Sequence, residues 1–268
     1  MANSINTNYG AAIALQNLNK TNAALETTQN RINTGQKVSS AKDNGAIFAI
    51  ATTQRANMGA MDAVKNSLQR GQSIVDVALA AGDTATSALE EMKALAVNIA
   101  SSTGDAQTAY LADYNALGKE VASALSGATF DGVNLWSTAG VTNLTTNTSG
   151  GTYGVGFAAA PSADTTLTAV NTGAITAANA TVTNVDAAIK TVTTSLATLG
   201  TQSKSVGRQL TFVSKLQDAT EAGIGNLVDA DLAKESAKLT AIQTKQQLGV
   251  QALSIANSSS SILLSLFR

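Results

Sequence analysis

A mainly α fold, with long coiled-coil or bundle helices from both halves of the chain and a small β-hairpin region between them, follows from three features. Apolar residues recur every three or four positions over very long stretches. A single proline, Pro161, interrupts 268 residues, so long helices are permitted. Between the helical halves lies a stretch of Thr, Ala, Gly and Asn with short alternating segments of the kind that form strands.

The spacing predicts a first helix from about Ser4 to Asn33, ending at Thr34-Gly35, where glycine can take the left-handed conformation that stops a helix. Its apolar seam is Ala11, Leu15, Leu18, Leu25 and Ile32, with Asn22 and Gln29 filling the gaps. The linker GQKVSS follows, and Ser40 with Asp43 reads as a capping box for a second helix over residues 41–100. That helix keeps one register through Ile47, Ile50, Met61, Val64, Leu68, Val75, Ala78, Ala85, Leu89, Met92, Ala96 and Ile99. Gly71 and Gly82 share the register, which lets a partner backbone approach closely. A repeat sustained this far is a long-bundle signal rather than that of a surface helix.

A third helix is expected over residues 105–127, with Tyr110, Tyr114, Leu117, Val121 and Ala124 on one face. Asp131-Gly132, between Phe130 and Val133, is a tight-turn dipeptide, so TFDGVNLW reads as a hairpin. The β region is placed at residues 129–178, as short strands and loops that include Val141 to Leu144 and Tyr153 to Phe157. The next long helix is expected over residues 183–222, with Asp186 as a capping partner; its seam runs from Val182 through Val192, Leu199 and Val213 to Leu227. After Leu227 the register slips by one position, a stutter that marks a change of packing partner.

The last helix carries two stripes. Leu232, Leu239, Ile242, Leu253, Ala256 and Leu263 form one, and Leu248, Ile255, Ile262 and Leu266 the other. A helix with two apolar stripes needs neighbours on two sides, which one short partner from its own chain does not supply. The ends are therefore expected to order only against several neighbours, as parts of a larger assembly. The domain reading pairs residues 1–42 with 228–268 and places 43–227 in a second domain.

The chain has no His and no Cys, which removes disulfides, thiolate and imidazole catalysis and the usual zinc sites. No catalytic, cofactor or metal residues are assigned. Glu90 and Glu91 point in different directions on a helix and read as a solvated face. Lys234, Lys238 and Lys245 read as ion-pair partners of Asp231 and Glu235 along the helix. Residues 1–42 hold four Lys/Arg and one acid, residues 228–268 four and three, and the middle nine and fourteen, too scattered a split for nucleic acid. No apolar run is long enough to span a bilayer, and MANSINTNYG lacks the layout of a cleaved signal.

Several ordered segments resemble bacterial flagellin over essentially the whole length. They are RINTGQKVSSAKDNGAIFAI (31–50), LEEMKALAVNIASSTG (89–104), TFDGVNLW (129–136), DADLAKESAKL (229–239) and the closing QALSIANSSSSILLSLFR. The gap from Trp136 to Ala180 is too short for a large outer insertion, so the chain resembles a minimal flagellin without separate outer domains. Flagellins often have Pro near the C-terminal end, where this chain has the run Ser258 to Ser261.

The resemblance implies a structural subunit that self-assembles into the helical filament of a swimming organelle, with paired termini lining an inner tube and the long middle helices forming an outer tube. On that reading the assembly residues are Ala11, Leu15, Leu18, Leu25, Ile32, Leu232, Leu239, Ile242, Leu248, Leu253, Ile255, Ile262 and Leu263. It also implies secretion to the extracellular filament without a cleaved signal. Further implied partners are sister flagellins, junction and cap proteins and an export chaperone, with no nucleic acid and no membrane. Flagellins sensed by the animal Toll-like receptor carry Arg in the stretch matching LEEMKALAV, where this chain has Glu91, with Leu95 nearby; the pattern resembles flagellins that escape detection. The alternatives are a hook-filament junction protein and a cytoplasmic signalling coiled coil, which would lack TFDGVNLW. A metalloprotease-bearing flagellin is excluded by the missing His and the missing insert.

Overall fold

In chain order the elements are α1 (Tyr9–Thr34), α2 (Gly45–Ser101), α3 (Gly104–Gly127), β1 (Gly140–Thr145), β2 (Thr152–Phe157), a 3-10 turn (Pro161–Ala163), α4 (Thr165–Asn171), α5 (Val182–Val228) and α6 (Leu232–Ser265). The computed structural model describes residues 8–265, with side chains as far as Ser258. The expected helix start at Ser4 and the stripe residue Leu266 lie outside the described residues, and so do the side chains of Ile262 and Leu263. The chain forms two units, Met1–Ala56 with Ala219–Arg268, and Asn57–Asp218; α2 and α5 contribute residues to both.

Within Asn57–Asp218 the core is the long seam of α2. Met61, Val64, Leu68, Val75, Ala78, Ala85, Leu89, Met92, Ala96 and Ile99 are all buried, as their spacing requires. Facing them are Val185, Val192, Leu199, Val206 and Val213 of α5 and Tyr114, Val121 and Leu125 of α3. Gln217 donates to Asp62 at 2.9 Å, Gln72 to Ser203 at 2.7 Å, and Lys93 meets Asp186 at 2.7 Å, so α2 and α5 run antiparallel.

The two seam glycines admit side chains rather than a backbone. A Cβ at Gly71 would collide with Leu144 of β1, and one at Gly82 would stand 2.6 Å from the Trp136 ring and 2.5 Å from Leu196. Backbone approach occurs instead at Gly118 of α3, where a Cβ would lie 2.6 Å from the Val170 carbonyl oxygen of α4. The short helix α4 was not expected in a stretch read as strands and loops. Asp164 caps it, accepting from the Thr166 amide at 2.8 Å, and Leu167 and Val170 are fully buried.

The β region contains one antiparallel pair, β1 with β2, in register from Gly140 opposite Phe157 to Thr145 opposite Thr152. Asp131 and Gly132 form the expected tight turn, both with positive φ (50° and 76°), and Phe130 and Val133 exchange two backbone hydrogen bonds across it. Just beyond, buried Asn134 donates to the Leu125 and Ser126 carbonyls at 2.9 Å each and accepts from the Trp136 amide at 2.8 Å. One side chain thus ties the open end of α3 to the start of the β region.

Several expected boundaries move. The second helix begins at Gly45, not 41, because Asn44 is its cap: the Asn44 side chain accepts from the Ile47 amide at 3.1 Å. Asp43 turns back instead, accepting from the amides and hydroxyls of Ser39 and Ser40 at 3.0 to 3.1 Å. α5 starts at Val182, with the Thr181 hydroxyl accepting from the Asn184 amide at 3.3 Å, while Asp186 serves Lys93 and not the cap. α5 also runs past 222 to Val228, through Gly223 and Gly225. Tyr110 is 36% exposed, outside the buried face of α3.

Candidate assembly surface

In the unit formed by the two ends of the chain, α1 ends as its sequence dictates, with Gly35 in the left-handed region at φ 69°. The chain then runs against the end of α5. Lys37 donates its amide to the Val228 carbonyl at 2.7 Å, and Ala230 donates to the Gly35 carbonyl at 2.8 Å. Val38 and Val228 are buried beneath these bonds. Asp231 then starts α6, accepting from the Lys234 amide at 3.1 Å.

α1 and α6 pair antiparallel. Asn8, the N-cap of α1, accepts from the Ala11 amide at 3.0 Å and donates to the Ala256 carbonyl at 2.7 Å. Gln246 donates to Asn22 at 2.9 Å, and Arg31 meets Glu235 at 3.2 Å. Lys238 approaches the other Glu235 oxygen at 3.7 Å, so Glu235 is held by one cation from each helix.

The paired face of α1 is Ala11, Ala14, Leu18, Thr21, Leu25, Thr28 and Ile32, a strict three-four alternation. This differs by one position from the seam expected with Leu15, Asn22 and Gln29, because the structure brings Ala14, Thr21 and Thr28 inward. Small and β-branched residues let the helices approach: Leu18 packs where a Cβ on Gly249 would lie 3.3 Å from it. On α6 the matching face is Glu235, Leu239, Ile242, Gln246, Gly249, Leu253 and Ala256. Thr28 and Ile242 are buried; Ala11, Leu18, Leu25, Ile32, Leu239 and Leu253 are half-buried.

Outside the pair several large apolar side chains stand in water. Leu15, Leu232, Leu248 and Ile255 are 49%, 51%, 58% and 72% exposed. Tyr9, Ile13 and Val250 join them. Sequence spacing pointed to Leu248 and Ile255 as a second stripe but missed Tyr9, Ile13 and Val250, which follow no seam; only the orientation of the pair reveals them. In the other unit, exposed Glu91 and half-buried Leu95 lie beside Asp113 and Leu117 of α3 along a shallow groove.

The described residues contain no cluster of His, Cys, Asp or Glu able to hold a metal ion, and none of their helices is long and apolar enough to cross a membrane. The bacterial flagellin N-terminal helical region matches residues 5–140, and the bacterial flagellin C-terminal helical region matches residues 182–267. The chain belongs to the bacterial flagellin family. Flagellins FljM and FljN of Caulobacter vibrioides are 53% and 55% identical to it, each over 99% of both chains. A flagellin of Brucella melitensis is 39% identical over 99% of both. This flagellin is a structural subunit that self-assembles into the bacterial flagellar filament for swimming motility. Its relatives include several flagellins of one organism, and flagellins form the extracellular filament.

Proposed function

We propose that the α1–α6 pair is the element that polymerisation completes, with residues 1–42 and 228–268 forming the inner tube and residues 43–227 the outer tube. The observation that carries this is the set of large apolar side chains that the pair leaves in water, from Tyr9 and Leu15 on α1 to Leu248 and Ile255 on α6. Large apolar side chains left exposed on the smaller of two units cost free energy in water that burial against neighbouring copies recovers. Ala11, Leu18, Leu25, Ile32, Leu239, Ile242 and Leu253 hold the pair together. Leu15, Leu232, Leu248 and Ile255 then meet other subunits, and Ile262 and Leu263 extend the same stripes by their spacing. Helical order at the ends is coupled to this burial, because the pair alone covers little apolar surface.

The same coupling suits export of a largely unfolded, cysteine-free chain without a cleaved signal, with an export chaperone, cap and junction proteins as transient partners and sister flagellins as co-subunits. Glu91 at the position where receptor-sensed flagellins carry Arg argues against recognition by the Toll-like receptor.

Elongation of short filament seeds tests the reading. Replacing Leu248 and Ile255 together by Ser should abolish elongation while leaving the thermal unfolding of the unpolymerised chain unchanged. Limited proteolysis of that chain should trim the ends back toward a resistant core near residues 57–218, and polymerisation should protect them. Ends equally resistant before and after polymerisation overturn the coupling.

A further inference from the structure

A filament of identical subunits that grows without closing uses heterologous contacts, in which one face of a copy meets a different face of the next. Two faces of the unit Asn57–Asp218 have the complementary chemistry. The first is the groove between α2 and α3, floored by Ala94, Leu95, Ala116 and Leu117 and rimmed by the carboxylates of Glu91 and Asp113. The second is on α5, where Phe212 stands 58% exposed with Arg208 about one turn before it and Lys215 about one turn after. All three α5 side chains are exposed, and none of Glu91, Asp113, Arg208 and Lys215 forms an ion pair within the chain among the described residues.

The two faces do not meet within one chain. The Lys93–Asp186 ion pair at 2.7 Å sets the groove level with the start of α5, and Phe212 lies on the order of 40 Å further along that helix at 1.5 Å per residue. The geometry points to a contact between copies in which Phe212 seats in the groove of a neighbouring subunit, with Arg208 and Lys215 reaching its Glu91 and Asp113. An aromatic ring flanked by cations, facing an apolar floor flanked by carboxylates, combines a buried anchor with charges that fix orientation. The contact rests on filament assembly but not on the roles given to α1 and α6.

Because the chain has no cysteine, the contact is open to a direct test in the full-length protein. Ala94→Cys combined with Thr211→Cys, polymerised from seeds and oxidised, should give a ladder of covalent oligomers on a non-reducing gel. Each single variant should give no ladder. Filaments of the double variant that dissolve to monomers after oxidation overturn the proposal. Charge reversal supplies a second measure. Glu91→Lys and Arg208→Glu should each slow elongation, and the two together should restore it; failure to restore overturns the pairing, even where the cysteine variant does not polymerise. Phe212→Ala should raise the lowest concentration that supports elongation about tenfold. Failure of the α1–α6 reading would leave the ladder intact, which separates the two outcomes.

Discussion

The indole nitrogen of Trp136 donates to the Ala78 carbonyl oxygen, 2.7 Å away in the middle of α2. Trp136 is fully buried, tilted against Phe157 at a ring-centroid distance of 6.2 Å, and lies over Gly82 one turn beyond Ala78. The closing residue of TFDGVNLW is therefore what anchors the β region to the longest helix. It satisfies its one polar group on a carbonyl that a Gly-floored dent leaves accessible.

Gly82→Ala should destabilise the unit by about 1–3 kcal/mol through overpacking against Trp136 and Leu196, outweighing a helix-propensity gain of about 1 kcal/mol. Denaturant unfolding followed by tryptophan fluorescence checks this, since Trp136 is the sole tryptophan. A glycine facing open space, Gly59, serves as the control: Gly59→Ala should stabilise.

Gln202 of α5 clasps β2. Its amide nitrogen donates to the Gly156 carbonyl and its oxygen accepts from the Gly156 amide, both at 2.9 Å, replacing a strand partner. Gln202→Leu strands both backbone groups and should cost about 1–3 kcal/mol for each that stays buried. Hydrogen exchange at the Gly156 amide should accelerate accordingly.

Tyr114 is fully buried and its hydroxyl has no hydrogen-bond partner; burial pushes its pKa up to about 12. The folded state thus favours the neutral phenol, a contribution fully present below the ordinary value of 10.0 and lost as pH rises from there through about 12. Alkaline titration by tyrosinate absorbance should show one phenol ionising late, and Tyr114→Phe should remove it without loss of thermal stability.

Hydrogen bonds from the backbone and hydroxyls of Ser39 and Ser40 hold the Asp43 carboxyl below its ordinary value of 3.8. A lowered folded value means the turn's stabilisation is present above about 3.8 and disappears as pH falls through the depressed value. Protection of the Ser39 and Ser40 amides relative to their intrinsic exchange rates should be larger at neutral pH than in acid, and Asp43→Asn should remove that acid dependence.

Local pattern alone determined the three-four seam of α2 from Met61 to Ile99, the left-handed stop at Gly35 and the positive-φ turn at Asp131-Gly132. Each depends only on the period of a helix or the conformational freedom of particular residues, which neighbours along the chain already specify. Tertiary structure decided which of two adjacent registers α1 presents, bringing Thr28 inward and leaving Leu15 out, because that choice turns on how closely α6 can approach. It likewise decided that Asn44 caps α2 in place of Ser40, that Val170 rests on Gly118, and that Asn134 and Gln202 stand in for missing backbone partners. These are contacts between residues far apart in sequence or choices among equally polar neighbours, and periodicity carries no information about either.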